Sequence, residues 1–362
     1  MGTIARAAAG IVSAAILGAA GVSAYTSHTL TENITPLTLP VTAPSQNPPS
    51  AQFDSTTHAS NILLIGSDAR DGKNRKYGNP IVHDTARADT TMLILLPPGR
   101  AHVDVISIPR DLIVDIPTHI KACSPGDNVT AHPTRDRFNA AYQINGATCT
   151  VATATDLLSV PVHHAISVDF TGFTKVVDAL GGLRVCVTKP VKDPDAKLNI
   201  VAGTHMLSGA DVLALARARK TLSDGSDTSR IDRQQYILTE FVQQYSGLTT
   251  NPLVAWEVAT TLTRALSADI ALRDPGVLVD AATQLSSLTA GDVRSHTVPY
   301  RPDPDDPFVT LVPDGPGITS LMSGILAPAS VPKATPRGDT APVTTRDTVK
   351  PVGSLGIFCA AP

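Results

Sequence analysis

The stretch TTMLILLPPGRAHVDVISIPRD, residues 90–111, constrains the fold more than any other part of this chain. Its two apolar runs, Thr90–Leu96 and His102–Ile108, are short and rich in β-branched residues, so both read as strands. The connection between them, PPGR, is far too short for a parallel crossover, which makes the pair an antiparallel hairpin. In a hairpin the start of one strand lies beside the end of the other, so Asp89 and Arg110 share an edge. An earlier strand-like run, NILLIG from Asn61, brings Asp68 to that edge if it pairs antiparallel with the first.

The remaining pattern alternates strands with helices. HHAISVDF from His163, GLRVCV from Gly182 and VRSHTVPY from Val293 read as strands. Helical spacing runs through TCTVATATDLL near 148–158, FTKVVDAL near 173–180, SGADVLALARA from Ser208, and two stretches at 252–268 and 275–288. Ser208 with Asp211 forms a capping-box signature. After Ser229, the positions Ile231, Leu238, Phe241, Val242 and Tyr245 fall on one face of a long helix. The mixture implies an α/β sandwich, a sheet layered with helices.

Composition sets the boundaries. Residues 7–25 carry no charge, follow Arg6, and at ~1.5 Å per residue nearly span a hydrocarbon core. They read as a membrane-spanning helix behind a short cytoplasmic segment, 1–6; a signal peptide cleaved after Val22-Ser23-Ala24 is the competing reading. Residues 26–60 form a Pro/Ser/Thr-rich linker, 61–326 the ordered body, and 327–362 a low-complexity tail with too few apolar side chains to offset ordering entropy. Both readings of the N-terminus export the body, so Cys123, Cys149, Cys186 and Cys359 meet an oxidising compartment. Their scattered spacing disfavours zinc, and Cys123 with Cys149 is the favoured pair, leaving Cys186 to staple the tail through Cys359.

With 29 basic and 32 acidic residues the chain has a formal net charge of −3, which argues against a surface that coats nucleic acid. Any anion site must be local. Asp68 and Asp89 on one edge would repel by about 4 kcal/mol at ~4 Å and an effective dielectric constant of about 20, unless a proton or cation lies between them. Hard carboxylate oxygens suit Mg²⁺. As plain turn or cap residues the two aspartates would need no metal, and that alternative stands beside the first. A basic cluster follows in ARARK and SDTSRIDRQQ. Arg217 and Arg219, two apart, share a ligand only if their helix ends there; Arg230 and Gln234, four apart, share a face at the start of the next helix, where orphan N–H groups favour an anion. Asp227 then caps the helix or holds an arginine. A solvated charged face is the alternative. Forked guanidiniums beside a divalent-cation site form a phosphoryl-transfer constellation. GxxxxGK[ST], GxGxxG and GxSxG are absent, and His163, His164 and His205 read as structural or surface residues.

Seven ordered motifs across about residues 60–326, NILLIGSDAR, RADTTMLI, ISIPRDLIVDIP, RFNAAY, VDFTGFTKVVDALGGLRV, LSGADVLALARAR and SRIDRQQ, resemble the LytR-CpsA-Psr proteins, bacterial envelope ligases. The resemblance implies an α/β/α sandwich with a central mixed or antiparallel sheet and an apolar tunnel for a lipid. It implies a single-pass enzyme of the cell membrane, with an extracytoplasmic catalytic domain at 61–326. The enzyme would move a glycopolymer phosphate from a polyprenyl-(pyro)phosphate carrier to peptidoglycan, with no nucleic-acid partner. By motif, Asp68 and Asp89 would hold Mg²⁺ or Mn²⁺, one of them serving as base. Arg70, Arg87, Arg110, Arg137, Arg217, Arg219 and Arg230, with Gln234, would bind the phosphates, and Asp111 and Asp227 would orient the arginines. Two departures stand out: Arg137 where the family often has lysine, and the insertion RDGKNRKYGNPIVHDTA, which adds Asp71 and Asp84 as alternative ligands. A polyprenyl-pyrophosphate hydrolase and a non-catalytic module binding isoprenoid phosphate or wall polymer are the rival readings.

Overall fold

The computed structural model describes residues 29–40, 60–68, 86–96, 102–117, 121–124, 135–218, 227–245, 252–274, 277, 290–304, 310–326 and 357–359. In chain order the strands and helices are β1 (Thr35–Leu37), β2 (Ser60–Ser67), β3 (Ala88–Leu96), β4 (Val103–Ile108), β5 (Ile113–Asp115), β6 (Arg135–Arg137), α1 (Ala140–Leu158), β7 (His164–Asp169), α2 (Phe170–Ala179) and β8 (Leu183–Val187). They continue with β9 (Val191–Asp193), β10 (Leu198–Ile200), β11 (Gly203–Leu207), α3 (Gly209–Arg217), α4 (Asp227–Tyr245), α5 (Pro252–Ala265), β12 (Leu266–Asp269), β13 (Val293–Thr297), β14 (Tyr300–Pro302), β15 (Leu311–Pro313) and α6 (Gly315–Leu326).

A seven-stranded sheet in the order β1-β12-β7-β2-β3-β4-β13 organises the molecule. β2, β3 and β4 form the antiparallel meander read from the sequence, and β7 and β13 join it in parallel on either side, so the sheet is mixed. Helices cover both faces, which is why the central strands are apolar along their length rather than at alternate positions. Leu63, Ile65, Leu93, Leu95, Ile106 and Ile108 pack with Val151, Ala154 and Leu158 of α1 and Ile318 and Met322 of α6. Ile62, Met92, Leu96, Val103 and Val105 face the other way, toward Ile34, Ala268, Leu272 and the α4 residues Leu238 and Val242. At about 2 kcal/mol for each fully buried aliphatic side chain, these two layers dominate the stabilisation.

A third core lies among α2, α3, α4 and β8, built on Val177, Leu183, Val185, Leu215, Tyr236 and Ile237. α3 starts where the capping signature put it: Ser208 Oγ accepts from the Asp211 N–H at 3.3 Å. α1 begins at Ala140, earlier than the periodicity suggested, because a break at Asn145 and Gly146 (φ +55°) interrupts the pattern that resumes at 148.

Two boundaries differ from the sequence reading. Residues 29–40, assigned to the linker 26–60, belong to the fold: Ile34 is buried, and β1 pairs in parallel with β12 at the sheet edge. The proline that made this stretch look like linker, Pro36, is tolerated because an edge strand has one unpaired side. The tail 327–362 is not uniformly unpacked either. Cys123 pairs with Cys149 and Cys186 with Cys359, and Phe358 stacks on Tyr236 with ring centroids 3.8 Å apart. One buried aromatic beside a disulfide supplies what the tail's composition lacks. The anchor expected at 7–25, and the helix expected at 275–288 apart from residue 277, lie outside the described residues. Among the described residues no helix is long and apolar enough to cross a membrane.

Candidate functional site

Three strand ends and a helix start supply the charged residues. Along β2 and β3, Gly66 faces Thr90 and Ser67 faces Ala88, which leaves Asp89 as the extra residue of a β-bulge. A bulge breaks the alternation of side chains and re-aims the one it carries. Asp68, one residue past β2, is fastened across the hairpin: its N–H donates to the Arg87 carbonyl at 3.0 Å, and its Oδ1 accepts from the Arg87 N–H at 2.6 Å. Arg87 thus holds Asp68 through its backbone, while the residue itself is exposed.

Arg110 follows β4 in a turn whose carbonyl accepts from the Asn139 N–H at 3.1 Å, tying it to the start of α1. Its Nη1 donates to Asp89 Oδ1 at 2.8 Å and its Nε to Asp111 Oδ2 at 3.2 Å. Asp111 also faces Arg137 Nη1 at 3.6 Å, and Arg137 ends β6, paired with Ile113 of β5. From the far side, Arg230 Nη2 reaches Asp89 Oδ1 at 3.5 Å. One carboxylate oxygen therefore faces two guanidiniums, and Arg110 sits between two carboxylates. Such charge-assisted contacts are shorter and stronger than neutral ones, and they hold the side chains in forked geometry.

The structure brings Asp89, Arg110, Asp111, Arg137 and Arg230 into one network; of these contacts the hairpin argument had placed only Asp89 beside Arg110. Arg217 is the last residue of α3, where the helix was expected to end, and its guanidinium lies 4.6 Å from the centroid of the Phe170 ring. Gln234 is half-buried on α4, one turn beyond Arg230. Asp227 begins α4. Arg70, Arg219, Asp71 and Asp84 lie outside the described residues.

Two residues have surroundings that the sequence reading did not give them. Phe170 gives Arg217 an aromatic floor, worth about 0.5–1 kcal/mol at a partly exposed site. Arg233 lies in the quoted decapeptide, yet it is 1% exposed and its Nη2 donates to the carbonyl of Ala218. Its signal was positional: it stands four residues before the buried Ile237 and shares that apolar face.

On the face covered by α4, Ile166, Leu64 and Ile94 of the neighbouring strands β7, β2 and β3 stay half-buried. Central strands of a covered sheet usually bury such residues fully, so an apolar surface is left under the helix layer. A separate cavity of about 640 Å³ opens between the end of α1 and α6, lined by Leu158, Val160, Ile318 and Met322 and by none of the charged residues above.

Residues 29–317 match the model of the LytR_cpsA_psr family. The chain is 30% identical over 243 residues to the Bacillus subtilis polyisoprenyl-teichoic acid–peptidoglycan teichoic acid transferase TagT, across 66% of this chain and 68% of that protein. It is 29% identical over 266 residues to the cell wall biosynthesis protein LcpA of Corynebacterium glutamicum, across 67% of this chain and 50% of that one. The solved LytR-Csp2A-Psr enzyme from Actinomyces oris shares the fold, with a TM-score of 0.58 at 23% identity over 80% of this chain and 95% of its own. Ordered motifs, mixed sheet and family match agree: the chain belongs to the LytR_cpsA_psr family.

Proposed function

We propose that this protein transfers a glycopolymer phosphate from a polyprenyl-(pyro)phosphate carrier to a hydroxyl of peptidoglycan, forming a phosphodiester. The observation that carries the reading is the meeting of Asp89, Arg110 and Arg230 from three separate elements. Such a network can exchange its internal ion pairs for phosphate oxygens. The names of the relatives, a teichoic acid transferase among them, agree with it.

Arg110, Arg137, Arg217 and Arg230, with Gln234, take the phosphate oxygens; Arg70, Arg87 and Arg219 join them by their place in the motifs. Asp111 orients Arg110 and Arg137, and Asp227 does the same for the arginines of α4. Asp68 and Asp89 form a donor set suited to Mg²⁺ or Mn²⁺: two hard carboxylates on paired strands, each with one oxygen already oriented by protein donors. A cation held there by Asp68 and Asp89 would offset phosphate charge and assist departure of the lipid phosphate. One of the two carboxylates accepts the proton of the acceptor hydroxyl as its oxygen bonds to phosphorus. The phosphorus–oxygen bond to the lipid phosphate breaks, and polyprenyl phosphate leaves. The polyprenyl chain lies along Leu64, Ile94 and Ile166, and residues 7–25 anchor the protein in the cell membrane with the catalytic domain outside.

The test is transfer from a synthetic polyprenyl-pyrophosphate glycan to peptidoglycan fragments, with and without Mg²⁺, for wild type and Arg110→Ala. Metal-dependent transfer, reduced at least ~100-fold by the substitution, is the expected result. Phosphate release without an acceptor adduct would replace the ligase with a hydrolase, and lipid binding without turnover would replace it with a binding module.

A further inference from the structure

Arg233 is buried in the apolar layer between α3 and α4, where Leu215, Ala218, Tyr236 and Ile237 also pack. Burying a guanidinium costs several kcal/mol unless its donors are satisfied, so an apolar residue of similar size would serve packing at least as well. What the arginine adds is a directed bond. Its Nη2 donates to the carbonyl of Ala218, the residue that follows Arg217 and leaves α3 in an extended conformation (φ −55°, ψ 137°). The last carbonyls of a helix lack intrahelical partners and carry partial negative charge, so a buried cation there fixes where the helix ends.

A neighbouring residue fixes the other side of the same helix. Gln235 Nε2 donates to Ser107 Oγ at 2.9 Å and to the His296 carbonyl at 2.8 Å, pinning α4 to β4 and β13. Arg233 points to α3 and Gln235 to the sheet, so together they set both the rotation and the axial position of α4. Arg230 lies one turn before Arg233, and its reach to Asp89 depends on that position.

We infer that Arg233 is a positioning residue that sets the distance between the two halves of the anion clamp, Arg217 at the end of α3 and Arg230 at the start of α4. It acts through the Ala218 carbonyl and touches no phosphate itself. The inference rests on the phosphate-binding reading of this site.

The experiment measures binding of inorganic pyrophosphate by calorimetry in Mg²⁺ buffer, below the unfolding transition of every protein compared. The set is wild type, Arg233→Met, Arg233→Lys, Arg217→Ala and the double variant Arg233→Met/Arg217→Ala. Arg233→Met is expected to bind about ten-fold more weakly, with Arg233→Lys recovering part of the loss, because lysine keeps the charge and one donor. Arg217→Ala is expected to cost less in the Arg233→Met background than in wild type, because its partner is already displaced. Wild-type affinity in Arg233→Met, or losses that simply add, would overturn the role of Arg233 and leave the clamp standing. Wild type that fails to bind pyrophosphate at all would overturn the clamp and this inference with it. If Arg233→Met does not fold, Arg233→Lys carries the comparison, with an intermediate weakening expected and wild-type affinity overturning the role.

Discussion

Asp89→Asn separates the two tasks assigned to this carboxylate, because they respond with opposite sign to the metal. In the absence of Mg²⁺, Asp89 competes with phosphate for two guanidiniums, Arg110 at 2.8 Å and Arg230 at 3.5 Å. The side chains of Asp89 and Arg110 are each 19% exposed, so solvent screens the pairs and each contributes about 0.5–1 kcal/mol. Asparagine keeps the shape and removes the charge. Phosphate then no longer displaces a carboxylate, a gain of about 1–2 kcal/mol, or roughly ten-fold tighter pyrophosphate binding in EDTA. With Mg²⁺ present the order is expected to reverse, because the variant lacks one of the two carboxylates proposed to hold the metal and wild type should then bind more tightly. The unliganded variant also loses its internal pairs, and its melting temperature falls by about 2–4 °C. Calorimetric titration of pyrophosphate with EDTA or Mg²⁺, beside thermal unfolding, reads all three quantities. Weaker binding by Asp89→Asn in EDTA would refute the argument that this carboxylate is the resting counter-ion of the clamp.

Two further expectations concern the scaffold. Burial, and then the neighbouring His164, lower the pKa of His163, and its Nδ1 accepts from the Asn61 N–H at 3.1 Å, a bond that needs the deprotonated nitrogen. The folded state therefore binds this proton less readily than the unfolded chain, so the stability it confers is complete above the ordinary histidine value of about 6.5 and is lost as pH falls below it. Melting curves from pH 8 to pH 5 should drop less steeply at the acid end for His163→Gln than for wild type, and parallel curves would contradict this. Phe358→Ala removes a ring that is 3% exposed and stacked on Tyr236, at a cost of about 3 kcal/mol in urea unfolding. A loss below about 1 kcal/mol would mean the tail does not support α4.

The acidic half of the site was legible because hairpin geometry is local. A short connection between two apolar runs already placed Asp89 beside Arg110, and antiparallel pairing with NILLIG brought Asp68 to the same edge. The bulge at Asp89 was not legible, since a bulge depends on how register closes across strands rather than on any residue type. Among the basic residues, Arg217 and Arg219 could share a ligand only if their helix ended there, and α3 does stop at Arg217. Arg233 read as one more member of the basic cluster in SDTSRIDRQQ, because its place four residues before Ile237 is a weak signal beside the surrounding charges; the packing of α3 decides that it is buried. β1 and Phe358 escaped for a related reason. Both sit in stretches whose average composition is that of a linker, and each is ordered by partners far away in sequence: β1 by β12, and Phe358 by Tyr236 beside a disulfide whose cysteines are 173 residues apart.

α4 shows how a helix with a low apolar content can hold a charged face steady. Propensity alone gives a helix little resistance to rolling or sliding, and a purely hydrophobic contact is tolerant of both. Here polar anchors are spread around the circumference. Arg233 binds the end of α3, Gln235 binds β4 and β13, and the Tyr236 hydroxyl accepts from the Cys186 N–H at 3.2 Å on β8, whose disulfide also carries the tail. Burial raises the pKa of that tyrosine to about 12, so the hydroxyl stays neutral and the contact persists at any physiological pH. Directed bonds of this kind contribute little net stability, since each pays a desolvation penalty, but they penalise every rotation of the helix other than one. The remaining direction is the one occupied by Arg230 and Gln234. The three anchors thus account for an arginine kept beside a carboxylate, a placement that hydrophobic packing by itself would leave free to drift.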